Sequence, residues 1–417
     1  MNSVPIADLD LATLPIEDSA FAANPNPELD RARASHPWLA RFSHGYVVHG
    51  YQAIRDLLPR DDKVHIAMDA VVSIMGAQGS PWGGFMRDMM IAMRGADHQR
   101  LRGAIEPYFK PRSVVTQLER IREVVTQLLD EWAPRGEFDF AEFSAKFPVT
   151  VMFSLIGGDP ADLPRIQQAL EVQGLSFSMD PTLLPQLEAG YEVMMEFTDE
   201  LIAKRRASGE PGNDLLQALI AAEDNGVLSP KEVRELLFFL FGAGYDTSKN
   251  QLTLTVWMLL DRPELWERCA IDRQYCVLAV EEAFRLASPS NVPRIVLEDI
   301  DYEGVHIPAG THLIFLNNLA ARDPTVVANP LAYDPDRDQS ARHLAFGRGA
   351  HQCLGMHLAR LQIEEGLHLI AQRIKRPQLS GEVIWRRFPG VWGIKSLPIR
   401  FTPAPAKQPA HTVGASS

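Results

Sequence analysis

The chain of 417 residues carries 41 Lys and Arg against 53 Asp and Glu, a net charge of −12, which gives no support for nucleic-acid binding. With 46% hydrophobic and 23% charged residues it reads as an ordinary globular protein, long enough for two or three domains or for one with a large core. Its three cysteines form no disulfide framework or metal spacing, so a reducing compartment is expected and Cys269 and Cys276 read as packing residues.

Residues 1–35 are rich in Pro and Asp and poorly periodic, and read as a wrapping N-terminal segment. Met1 to Ala23 lacks a signal-peptide core and an 18-residue apolar run, so a cytoplasmic protein without membrane attachment is expected. Tyr46-Val47-Val48 suggests a strand, and Tyr51 to Leu58 a short helix with Ile54, Leu57 and Leu58 on one face. Val64 to Met93 holds Met68, Met75, Met86, Met89, Met90 and Met93, interrupted by Gly76, Gly79, Gly83 and Gly84. It reads as a mobile loop whose thioethers adapt to irregular apolar shapes. In Gly95 to Pro107, His98 and Arg102 stand four apart and share a helix face, where two cationic donors can clamp a carboxylate. Residues 114–210 read as largely helical, with breaks at Pro134–Gly136, Gly157–Pro160 and between Gln173 and Pro185.

Ser229-Pro230-Lys231-Glu232 is a strong helix start: a Ser cap, Pro at the first position and Glu three after the cap. The helix should run to about Leu260, roughly 45 Å at 1.5 Å per residue. Leu236 to Phe241 are all apolar, so it should be buried, while Asp246, Lys249 and Asn250 argue against a membrane span. Gly242 and Gly244 weaken its middle, and Thr247 can bond back to a carbonyl one turn earlier. Glu264 to Leu286 reads as one further helix, with Glu282 and Arg285 spaced to pair. Ile295–Leu297, Val305–Ile307 and Thr311–Leu316 alternate as short strands.

His343 to Arg360 crowds Gly347, Gly349, Gly355 and Cys353 into a loop before a helix from Met356 to Ile374. Glycines let a flat ligand approach the main chain, and a cysteine at a helix N-terminus should ionise easily. A thiolate held by backbone N–H groups suits iron with a strong donor ligand. Residues 403–417 read as a disordered tail. Taken singly, these features have ordinary readings: a buried thiol, a solvated helix face, a packing notch.

Together they do not. Phe346-Gly347-x-Gly349-x-His351-x-Cys353-x-Gly355, followed by Leu-Ala-Arg360, resembles the haem-thiolate loop of the cytochrome P-450 superfamily. Four further motifs stand in that family's order: His98-x-x-x-Arg102, Ala243-Gly244-Tyr245-Asp246-Thr247, Glu282-x-x-Arg285, and Tyr333 to Arg337. The resemblance spans about residues 40–402. It implies a mainly α fold with small β-sheets, a single triangular-prism domain over 36–402, and haem b (iron protoporphyrin IX). Cys353 is then the iron ligand, with Phe346, Gly347, Gly355 and Ala243 against the cofactor. His98, Arg102, Arg294 and His351 would meet its propionates. Asp246 and Thr247 would relay protons, and Glu282, Arg285 and Arg337 would brace the cysteine loop.

The implied reaction inserts one oxygen atom of O2 into a C–H bond of a small, neutral, mostly apolar substrate. Met86, Met89, Met90, Phe238, Phe239, Val292, Val391 and Trp392 are the expected lining, with Arg87 and Arg94 turned away. With no flavin or iron–sulfur segment fused, electrons should come from a separate ferredoxin or flavodoxin and its NAD(P)H reductase, meeting Arg112, Arg342 and Arg348 on a monomer. A peroxide-using peroxygenase and a non-catalytic haem sensor or electron carrier are the alternatives; the Asp246–Thr247 pair argues against both.

Overall fold

A reciprocal cap starts the helix on which the rest is packed. Ser229 Oγ accepts from the Glu232 backbone N–H, and the Glu232 carboxylate accepts from the Ser229 N–H at 2.8 Å. The helix Pro230–Leu259 follows, as its cap signal predicts. Arg100 adds a second tie, donating to Glu232 Oε1 at 2.6 Å, and with the Ser229 bonds it pulls the Glu232 carboxyl down to about 2. Arg100 lies on Gly95–Ile105, the helix carrying His98 and Arg102, so the two elements are set against each other.

The computed structural model describes residues 3–209, 212–338 and 342–405. Around the long helix pack Phe140–Ile156, Leu163–Gln173, Leu184–Ser208, Arg273–Leu286 and Met356–Arg373. Phe238, Phe241, Tyr245 and Leu254 are among its fully buried side chains. Among the described residues no helix is long and apolar enough to cross a membrane.

The sheets are small. The largest runs Leu39–Phe42, Gly45–Val48, His312–Phe315, Val292–Val296, Val64–Ile66. Its register places Arg294 between Leu313 and Ile66, so the strand pairing fixes where that guanidinium starts.

Three expectations are corrected. Val64 to Met93 is a strand and two helices, Met68–Ile74 and Pro81–Asp88, rather than a loop. Ser80 accepts from Gly83 N–H at 3.0 Å and Pro81 opens the second helix, and a Cβ on Gly83 would meet Ala77 O at 2.1 Å. That glycine serves close packing. The stretch from Glu264 to Leu286 is two helices, Pro263–Ile271 and Arg273–Leu286, because Asp272 caps the second through Gln274 N–H. The tail begins later than expected: Pro398–Pro403 is a strand, Ala404 N–H donates to Arg373 O, and 406–417 lie outside the described residues.

Residues before 35 include the helices Ser19–Ala23 and Asn26–Ser35. They meet the far end of the chain: Trp392 Nε1 donates to Ala22 O at 2.9 Å, and Arg322 to Asn26 Oδ1 at 2.6 Å.

Candidate active site

Leu344 to Gly355 forms a tight loop in which Cys353 N–H donates to Phe346 O at 2.9 Å and Gly347 N–H to Leu344 O at 2.9 Å. Gly347 and Gly349 hold φ values of 67° and 80°, the left-handed region that side chains resist. Nothing lies within 4 Å of where a Cβ on Gly347 would be. Phe346 packs on Phe284 with ring centroids 4.7 Å apart, and the Arg360 guanidinium lies 4.5 Å from its ring centre.

Cys353 lies three residues ahead of the helix Met356–Arg373 and its side chain is accessible from a cavity. Burial pushes the thiol up, and the Gly355 N–H and the charges of Arg102 and Arg360 oppose it. A cation at the sulfur would favour the thiolate further.

The cavity measures about 360 Å³ and its walls are mostly apolar. Cys353, Phe346, Gly347 and Gly355 line it from the loop; Ala243, Asp246 and Thr247 line it from the long helix. His98, Arg102, Arg294 and His351 also line it, and so do Met86, Met89, Met90, Phe238, Phe239 and Val391. Trp392 does not. It is buried beside the cavity, stacked on Trp385 at 5.4 Å, because its indole N–H is drawn to Ala22 O. The Val292 side chain lies outside the described residues. Phe85, stacked on Phe238 at 4.5 Å, and Phe177 are further lining that the sequence reading missed. Arg87 and Arg94 are exposed, as are Arg112, Arg342 and Arg348.

The basic residues are poorly compensated. Burial, then the charges of His98, Arg294, His65 and Arg102, lower His351 to about 3, and burial lowers Arg294 to about 10. Neither ring nitrogen of His351 has a hydrogen-bond partner among the described residues, although Asp61 Oδ2 lies 3.2 Å from its Nε2. Asp61, His65 and His351 are spaced as metal ligands could be. Arg102 and Arg294 beside them oppose a cation and favour an anion. Arg102 Nη1 donates to Gln352 O at 3.0 Å, one residue from Cys353. A flat dianionic cofactor carrying iron fits this set: carboxylates for the basic side chains, a metal for the sulfur, and a glycine-lined loop for the ring.

Thr247 Oγ1 donates to Ala243 O at 2.8 Å, the back-bond expected of it. Asp246 is buried, paired with Arg386 and bonded at Oδ1 by Asn250 Nδ2 at 3.1 Å. Lys249, one turn on, pairs with Glu171 at 3.6 Å, and Tyr245 donates its hydroxyl to the same carboxylate at 2.7 Å.

Glu282 accepts from Arg285 at 2.7 and 2.8 Å and from Arg337 at 2.9 Å. Arg285 continues to the carbonyls of Ala321, Pro330 and Ala332, so this brace holds 321–337 rather than the cysteine loop. The preceding residue reaches the loop: Glu281 bonds Arg360 and meets His343, and those two offset its burial and hold its carboxyl at about 2.

The cytochrome P450 family model matches residues 46–390. The chain is 34% identical over 397 residues to a luteothin monooxygenase of Streptomyces thioluteus, covering 94% of this chain and 96% of that one. It is 31% identical over 397 residues to the cytochrome P450 monooxygenase PikC of Streptomyces venezuelae, covering 91% and 92%. The crystal structure of P450BioI in complex with hexadec-9Z-enoic acid ligated acyl carrier protein superposes with a TM-score of 0.82 at 27% identity, over 92% of this chain and all of that one. On the matching motifs, fold and cavity, the chain belongs to the cytochrome P450 family and is a P450 monooxygenase.

Proposed function

We propose that this monooxygenase binds haem b through Cys353 and oxidises a neutral, mostly apolar substrate. Cys353, open to a mostly apolar cavity that His98, Arg102, Arg294 and His351 also line, carries this reading. His98, Arg102, Arg294 and His351 would hold the propionates, with Phe346, Gly347, Gly355 and Ala243 against the ring. Bound haem supplies activation of O2 and oxidation of a substrate C–H bond. The Thr247 hydroxyl presents a donor and acceptor at the cavity wall, and the Asp246 carboxylate beside it can hold a proton and pass it on. Electrons come from a separate ferredoxin or flavodoxin with an NAD(P)H reductase, docking where Arg112, Arg342 and Arg348 are exposed.

The apolar substrate follows from energetics. Phe85, Phe177, Phe238, Phe239 and the methionines gain by covering apolar surface, at about 25 cal/mol per Å². A charged ligand would need a buried partner, and Arg87 and Arg94 are exposed while Asp246 is paired. The test is a spectral titration of the ferric protein with neutral terpenes, steroids and aromatics, each beside its carboxylic acid. The expected result is a high-spin shift with the neutral compounds, followed by NAD(P)H-dependent oxidation. Tighter binding of the acids, erased by Arg87→Ala or Arg94→Ala, would overturn the substrate class.

A further inference from the structure

We propose that Arg386 is a positioning residue for Asp246, and that the missing side chain of Gly174 is what lets the pair form at the cavity wall. The proposal rests on the reading of Asp246 as the acid that carries protons.

Arg386 comes from the C-terminal part of the chain, directly after the strand Ile384–Trp385, and pairs with Asp246 in the middle of the long helix. Its backbone N–H donates to Gly393 O at 2.9 Å, so the base of the side chain is fixed before the guanidinium reaches out. Both partners are nearly closed to solvent: their side chains are 10% and 3% exposed. A buried guanidinium offers a rigid fork of donors, which a flexible ammonium does not.

The two carboxylate oxygens are not equivalent. Oδ1 receives Arg386 and Asn250, while Oδ2 is buried with no partner among the described residues. Oδ2 lies against Gly174, where a Cβ would come within 2.0 Å of it and 3.1 Å from the Arg386 guanidinium. Gly174 and Asp246 both line the cavity. A carboxylate pinned at one oxygen keeps the other in one place, and a buried oxygen with no partner beside a cavity is where an ordered water can bind. Lys249 pairs with Glu171 at 3.6 Å and bears on Asp246 through its charge, without a hydrogen bond to it.

The sequence hides this pair. Arg386 lies 140 residues from Asp246, and Gly174 reads as the end of a helix.

The test uses the haem-loaded protein with a plant-type ferredoxin, its reductase and NADPH, with no added substrate, so that O2 reduction alone reports proton delivery. Asp246→Asn, Arg386→Gln, their double variant, Arg386→Lys and Gly174→Ala are compared by NADPH oxidation rate, its solvent deuterium isotope effect, and thermal midpoint. Asp246→Asn and Arg386→Gln should each slow oxidation by about tenfold and raise the isotope effect. The double variant should be no slower than Asp246→Asn, Arg386→Lys should recover part of the rate, and Gly174→Ala should reproduce the defect. A normal rate and isotope effect in Arg386→Gln, with Asp246→Asn impaired, overturns the proposal. A normal Asp246→Asn instead overturns the reading of Asp246, and the midpoints then decide the pair: additive shifts in the double variant remove it, non-additive shifts keep it. If Arg386→Gln loses haem, Arg386→Lys and Gly174→Ala are read in its place, and normal rates in both overturn the proposal.

Discussion

Arg360 Nε donates to Glu281 Oε1 at 2.6 Å and its Nη2 to Oε2 at 3.2 Å, joining the helix after Cys353 to the helix of the Glu282 brace. Together with the His343–Glu281 contact, this clasps both ends of the cysteine loop to one carboxylate. Glu281→Ala should therefore loosen the loop without touching the cavity. Its haem should dissociate faster to an acceptor protein such as apomyoglobin, while the thiolate spectrum of the loaded protein is kept.

Cys353→Ala should abolish the red-shifted Soret band of the reduced carbon-monoxide adduct. Survival of that band would remove Cys353 as the iron ligand, whatever happens to activity.

Thr247→Ala should leave oxygen and NAD(P)H consumption in place but divert it, with a larger share appearing as H2O2 and a smaller share as product. General acid–base groups contribute roughly a hundredfold or more. An unchanged ratio of product to H2O2 would remove Thr247 from the relay.

The proposed anion clamp should be shared. Hydrogen bonds to charged groups contribute roughly 1.5–3 kcal/mol each. Arg102→Ala or Arg294→Ala alone should weaken haem retention, and the double variant should lose much more. Equal loss in single and double variants would contradict two independent donors.

Acid should weaken the start of the long helix. Glu232 is drawn from its ordinary 4.5 to about 2, chiefly by Arg100. A depressed carboxyl stabilises the fold above its unfolded value and loses that contribution as pH falls through the folded one. Between about 4.5 and about 2, stability should fall less steeply in Glu232→Gln than in the parent, measured by denaturant melts at each pH.

The cap at Ser229 was legible because it is a local pattern whose physics closes within a few residues, whereas the His98–Arg102 face and the cysteine loop stood out only through the family resemblance that their order carries. Ser80-Pro81 carried part of that start signal, a Ser cap and Pro at the first position, and Gly83 and Gly84 obscured it because a glycine that permits close packing and one that permits motion look alike in sequence. Arg386, Asp61 and His65 were not legible. Each acts through a partner far along the chain, and nothing local marks which of many basic or acidic residues will be buried. Trp392 was misplaced for a related reason: its indole N–H is claimed by a carbonyl at the opposite end of the sequence.

That claim has a consequence for synthesis. The turn bearing Val391 is held by Trp392 against Ala22. The wall of the cavity is thus finished by joining an early segment to a late one. On the ribosome Ala22 must wait for Trp392 until almost the whole chain has emerged. A nascent fragment ending before Trp392 therefore leaves this wall open.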